Sequence, residues 1–206
     1  MPKVRPQIVC KKRMDVAILI DGSGSIKSVN FKRLKRFLIY LVKSFKIGYY
    51  NTRVALVQFS TNARVEFYLK SSRNLQQVIN AIKRLRQMRR GTYINRGLQK
   101  VRTRVFQRST GDRAGVPNTL ILLTDGKSRL YSQARGEALR LKRQRVRIVS
   151  IGIGKQQTIR KFAYQIRSYS SRPLRGSVFL NGFRGLKSIF STVALSSCKG
   201  KVPFVR

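Results

Sequence analysis

The sequence predicts an α/β domain: a doubly wound, mostly parallel sheet of about six strands, with one antiparallel edge strand and helices on both faces. Three observations predict it. Apolar runs rich in β-branched residues alternate almost strictly with segments of helical periodicity. The central runs MDVAILI (14–20), NTLILLTDG (118–126) and VRIVSIGIG (146–154) are apolar nearly throughout, as strands buried on both faces must be. One pair of strand segments has no helix between its members, which places a hairpin at an edge.

Taken in order, residues 14–20 read as a buried strand ended by a glycine turn. A helix follows over 29–46, where Phe31, Leu34, Phe37, Leu38, Leu41, Val42 and Phe45 share one face and Lys32, Arg33, Lys35 and Arg36 mostly the other. RVALVQFS (53–60) and ARVEFYL (63–69), joined by Thr61-Asn62, form the hairpin. Residues 74–87 are helical, with Leu75, Val78, Ile79, Ile82 and Leu85 on one stripe; 89–92 form a loop and 94–106 return to helix. After the turn-rich STGDRAGVP come the strand at 118–126, a helix over roughly 131–144 and the strand at 146–154. A helix at 158–166, a short strand at 177–182 and a last helix at 183–195 complete the set.

A chain of 206 residues fits one domain that buries about 70% of its unfolded surface. That domain is expected over residues 10–198, between basic tails at 1–9 and 199–206. The composition, 42% hydrophobic and 9% aromatic, supports a core. Against it stands a net charge of +40, from 46 Lys and Arg, six Asp and Glu and no His. Such a field repels itself and draws polyanions: sulfated glycosaminoglycans, acidic proteins and, without sequence preference, nucleic acid. No apolar run approaches the ~18 residues of a membrane span, and MPKVRPQIVCKK has no apolar segment of a secretory leader.

Cys10 and Cys198 flank the whole periodic region. They lack zinc-ligand spacing and histidine partners. Termini of compact domains often lie close together, so the expectation is one disulfide closing the domain, against the alternative of two separate thiols.

The chemistry concentrates at strand ends. Asp21-Gly22-Ser23-Gly24-Ser25 follows the first strand, Thr92 lies on a middle loop, and Asp125 follows a later strand. Ligands of open parallel sheets bind at the carboxyl ends of strands, where strand order reverses. Asp21, Ser23, Ser25, Thr92 and Asp125 are all hard oxygen donors, which suit Mg²⁺ or Mn²⁺ ahead of Ca²⁺. Gly22 and Gly24 would let the backbone turn so that alternate side chains converge. The other reading of Asp21 is a cap for the following helix.

These segments together resemble the von Willebrand factor type A domain and its metal-ion-dependent adhesion site. VQFS (57–60) and IVSIGIG (148–154) also look like two of the family's strands. The flavour is that of the extracellular-matrix branch, as in matrilins and non-fibrillar collagens. The resemblance implies that Ser23 and Ser25 ligate a metal directly. It implies that Thr92 does so directly or through water, that Asp21 and Asp125 stand close behind, and that a partner's acidic residue completes the shell. Lys27, Arg89, Arg90, Tyr93 and Lys127 would form the rim. Arg89 and Arg90 depart from the small residues common there, and positive charge opposes a cation.

The expected function is therefore a secreted, non-enzymatic matrix-adhesion module. Its expected partners are acidic matrix proteins or collagen and sulfated polysaccharides. The alternatives are an intracellular nucleic-acid-binding protein on the same fold and an engineered, supercharged type A domain. Catalysis lacks its parts: there is no GxxxxGK loop, no histidine and no GxSxG elbow. The eight Tyr and eleven Phe fall mostly at core-periodic positions, which leaves no evident base-stacking platform.

Overall fold

The computed structural model describes residues 10–71 and 74–198. The strands are β1 (Met14–Asp21), β2 (Thr52–Phe59), β3 (Ala63–Phe67), β4 (Asn118–Thr124), β5 (Arg147–Ile153) and β6 (Val178–Asn181). The helices are α1 (Ser28–Lys43), α2 (Leu75–Arg84), α3 (Ile94–Lys100), α4 (Tyr131–Arg143), α5 (Gln156–Tyr169) and α6 (Leu186–Cys198). Among the described residues they build one six-stranded sheet in the order β3-β2-β1-β4-β5-β6. Every neighbouring pair is parallel except β2 with β3, as the missing helix between those strands predicts.

The side-chain alternation of a strand divides the core in two. Val16, Ile18 and Ile20 of β1 pack with Leu34, Phe37, Leu38 and Leu41 of α1, with α2 and with α6. Ala17 and Leu19 point the other way, to Ile94 and Leu98 of α3 and Ala134, Ala138 and Leu141 of α4. Strand order reverses between β1 and β4, so the cleft there opens beside Asp21, the last residue of β1, and Asp125, the first after β4.

Several boundaries differ from the periodic reading, each for a local reason. The last helix starts at Leu186 because Asn181 first folds the chain: its Oδ1 accepts the Gly182 N–H at 2.8 Å and its Nδ2 donates to the Gly185 carbonyl at 3.2 Å. The helix begun at Ile94 changes to a π turn over Val101–Val105. There Thr103 Oγ1 donates to the Gln99 carbonyl, and the β-branched residues at 101, 103 and 105 fit an α-helix less readily. α2 stops at Arg84 because Leu85 turns extended, with ψ 128°, sending 85–90 toward the cleft. α5 is longer than its apolar stripe alone indicates.

Cys10 and Cys198 are disulfide-bonded, with Cα atoms 5.9 Å apart. Cys10 is also tied to the end of α1 by backbone bonds: its N–H donates to Ser44 O, and its carbonyl accepts from Lys46 N. No helix among the described residues is long and apolar enough to cross a membrane.

Candidate metal centre

The cleft is assembled from three loops that follow β1, α2 and β4. Backbone bonds stitch them together. Gly24 N–H donates to Arg90 O at 2.8 Å, Arg89 N–H to Gly22 O at 2.7 Å, and Arg129 N–H to Thr92 O at 3.0 Å. Two glutamines that the sequence did not mark as site residues brace this junction. Gln87 Nε2 donates to the carbonyls of Ser23 (2.9 Å) and Ile26 (2.7 Å). Gln58, buried on β2, donates to Arg86 O and accepts from Met88 N–H.

Gly22 has a different role from the expected one. Neither Gly22 nor Gly24 has a positive φ. A Cβ on Gly22 would instead fall 2.0 Å from Gln58 Oε1, so it is space that requires glycine there. The left-handed residue of the cleft is Arg89, at φ 59°.

Within this frame the oxygens line up. Ser23 Oγ and Ser25 Oγ are 2.8 Å apart, and Ser25 Oγ donates to Asp125 Oδ1 at 2.8 Å, joining residues 100 apart in sequence. Asp21 lies fully buried beneath. Its Oδ1 accepts the Ser23 N–H at 2.8 Å and its Oδ2 accepts Thr124 Oγ1 at 2.7 Å. Asp21 therefore caps no helix: α1 has Lys27 at its N-cap and no side-chain cap bond. Thr124 is a further positioning residue that the motif alone did not single out. Thr92 meets the loop after β4 only through its backbone, its carbonyl accepting the Arg129 N–H, and among the described residues no hydrogen bond ties its hydroxyl to Ser23, Ser25 or either acid.

Three of the six acids form no salt bridge among the described residues: Asp112, which lies in the field of Arg108 and Arg113, and the facing pair Asp21 and Asp125, on which no basic side chain acts. Asp15 is paired to Arg113, Glu66 to Arg64, and Glu137 to Arg102 and Arg140. Asp21 and Asp125 have no ion-pair partner among the described residues, although the chain carries 46 basic side chains. Burial pushes the Asp21 carboxyl above its ordinary range, against the hydrogen bonds from Ser23 and Thr124. Asp125 is pushed up to about 7, by burial first and then by the Asp21 charge beside it. Two desolvated carboxylates facing one another are costly unless protonated or neutralised.

The residues fit a hard divalent cation: two carboxylates without a counter-charge, with serine hydroxyls between them. No three His, Cys, Asp or Glu side chains converge among the described residues, so the group depends on hydroxyl oxygens. The predicted rim is variously placed. Lys27, Arg89, Arg90 and Lys127 are exposed. Arg89 donates to Ser28 Oγ at 3.1 Å. Tyr93 is half-buried with the Arg96 guanidinium 5.2 Å over its ring.

A sequence model of the von Willebrand factor type A domain matches residues 15–191. The human collagen alpha-5(VI) chain is 32% identical over 191 residues, which is 92% of this chain and 7% of that protein. Chicken matrilin-1 is 29% identical over 191 residues, 92% of this chain and 37% of the relative. The chain thus spans well under half the length of either. Proximal thread matrix protein 1 from the mussel byssus, solved with a zinc-occupied MIDAS motif, superposes with a TM-score of 0.81. It is 28% identical to this chain, covering 93% of it and 47% of the mussel chain.

Proposed function

The chain belongs to the von Willebrand factor type A domain family, and from that premise we propose that it is a non-enzymatic, extracellular-matrix binding module. We assign it a divalent-cation adhesion site and a polycationic surface. The observation that carries the reading is the uninterrupted row of oxygens from Ser23 through Ser25 to Asp125, with Asp21 buried beneath and no basic partner to either acid among the described residues. Ser23, Ser25 and Thr92 would hold the ion, with Asp21 and Asp125 behind them; Mg²⁺ or Mn²⁺ suits the oxygen set ahead of Ca²⁺. A bound divalent ion would offer an open position to a carboxylate of an acidic matrix protein or of collagen.

The chain's own residues then shape that encounter. Thr124 and the Ser23 N–H fix both oxygens of Asp21, and Gln87 holds the Ser23 loop. Lys27, Arg89, Arg90 and Lys127 surround the cleft with positive charge, which favours an acidic segment and acts mainly on its association rate. The remaining basic surface supplies metal-independent attraction to sulfated polysaccharides and, in vitro, to nucleic acid. The disulfide supports an oxidising compartment outside the cell and speaks against the intracellular alternative.

The test is capture of acidic matrix proteins, collagen and heparin by the whole chain, with and without EDTA, across a salt series. The expected result is two components. Capture of the carboxylate-bearing proteins should be sensitive to EDTA, and capture of heparin should resist EDTA but weaken steeply with salt. Protein capture indifferent to EDTA would contradict the metal-dependent half.

A further inference from the structure

The geometry points to a sulfated-polysaccharide docking cleft between β3 and the helix running from Ile94 to Val105, away from the metal centre. It rests on the polyanion half of the proposed function and gives it a location. The cleft, about 490 Å³, is lined by Asn62, Ala63, Arg96, Gln99, Lys100, Thr103 and Arg104. Three cations stand four residues apart along one helix, so successive charges are about 6 Å apart along its axis. The change to π turns at Val101 widens the helix where Lys100, Thr103 and Arg104 meet the cleft.

Charge and chemistry select the occupant. No carboxylate lines the cleft. Arg64 and Arg102 nearby are neutralised by Glu66 and Glu137, whereas Arg96, Lys100 and Arg104 have no carboxylate partner among the described residues. Arg96 is held in place, donating to Thr61 O at 2.7 Å and to Asn62 Oδ1 while covering the Tyr93 ring. The Tyr93 ring is therefore covered, no aromatic side chain lines the cleft, and a nucleic acid would find no base-stacking surface in it. Asn62, Gln99 and Thr103, interleaved with the cations, offer amide and hydroxyl groups to sugar hydroxyls and sulfate oxygens. A linear sulfated sugar satisfies both sets.

On a chain of +40 the control matters most. Heparin hexasaccharide binding would be titrated over a salt series for the full chain, for Lys100→Gln with Arg104→Gln, and for Arg160→Gln with Lys161→Gln on α5. Arg104, Arg160 and Lys161 are exposed and Lys100 is half-buried; each pair removes two charges. The cleft pair should weaken binding about tenfold and lower the salt slope by about two, with the α5 pair changing affinity less than about twofold. Bound hexasaccharide should also shield Lys100 from amine acetylation more than Lys161, each lysine read against its own rate in the free chain, a readout available on the unaltered chain. Equal losses from the two pairs, or equal shielding of the two lysines, would overturn the proposal. An oligothymidylate that binds as tightly as the hexasaccharide at matched charge and responds to the same pair would overturn the choice of occupant.

Discussion

Asp125 is the residue on which the cleft turns, because it is the more accessible of two facing acids and the acceptor of the Ser25 hydroxyl. Its folded value of about 7 lies above the unfolded value of 3.8. A raised acid stabilises the fold while protonated, fully so below pH ~4, and that contribution is lost as pH rises through about 7. Asp125→Asn keeps the shape and cannot ionise. Without metal it should gain stability relative to the parent as the pH rises over this window, read as urea midpoints; a millimolar divalent cation should stabilise the parent selectively. A second prediction concerns Arg89, at φ 59°. Glycine tolerates that conformation where arginine is strained, and the greater entropy of the unfolded glycine chain gives back part of that gain. Arg89→Gly should raise stability by about 0.5 kcal/mol in denaturant unfolding, tighten divalent-ion binding, and slow association with acidic partners. At this scale the sequence exposed the candidate oxygens, because hard donors at strand ends form a pattern, and the fold brings four of them, Asp21, Ser23, Ser25 and Asp125, into one hydrogen-bonded cluster. The sequence concealed the bracing roles of Gln58, Gln87 and Thr124, because such roles are recognised only by what the side chains touch.

Elements were legible wherever the apolar pattern was long. The continuous runs of β1, β4 and β5 could be read as buried strands, and the wide stripe of α1 as a helix, because each buries the face that its period defines. Boundaries were less legible, since side-chain hydrogen bonds set them: Asn181 delays α6, and Thr103 accompanies the change to π turns. The tyrosines were misjudged in part. Tyr49, Tyr50 and Tyr164 are 59%, 77% and 51% exposed, because Tyr49 and Tyr50 sit in a turn, where core periodicity has no meaning. The packing of β1 against β2 carries a sharp prediction. A methyl group on Gly22 meets Gln58 Oε1 at 2.0 Å, and Gln58 cannot withdraw without releasing Met88 N–H and Arg86 O. Gly22→Ala should therefore cost about 1–3 kcal/mol and loosen the Arg86–Arg90 segment, measured by urea unfolding and by amide exchange at Met88 and Arg89.

For the whole molecule the central tension is between cohesion and charge. Self-repulsion of +40 opposes compaction, and two-sided burial of the sheet resists it. The disulfide helps by joining residues 188 apart. In the chain-entropy model a loop of that length contributes about 5 kcal/mol. Reduction should lower the unfolding midpoint markedly, and added sulfate or salt should recover part of the loss by screening the charge. A midpoint unchanged by reductant would contradict that role. Net charge points to a class of partner and not to a place on the surface, because a field is summed over every side chain while a cleft is made by a few.

The adhesion site itself is tested most directly by isothermal titration of Mg²⁺ and Mn²⁺ into the metal-free chain and into Ser25→Ala. Ser25 is exposed, so its replacement should leave the fold intact, which the melting curve checks. The parent should bind one ion per chain at millimolar concentration or below, and Ser25→Ala should bind it at least about tenfold more weakly. If the parent takes up neither ion at millimolar concentration, the row of oxygens holds no metal and the protein binds its partners by charge alone.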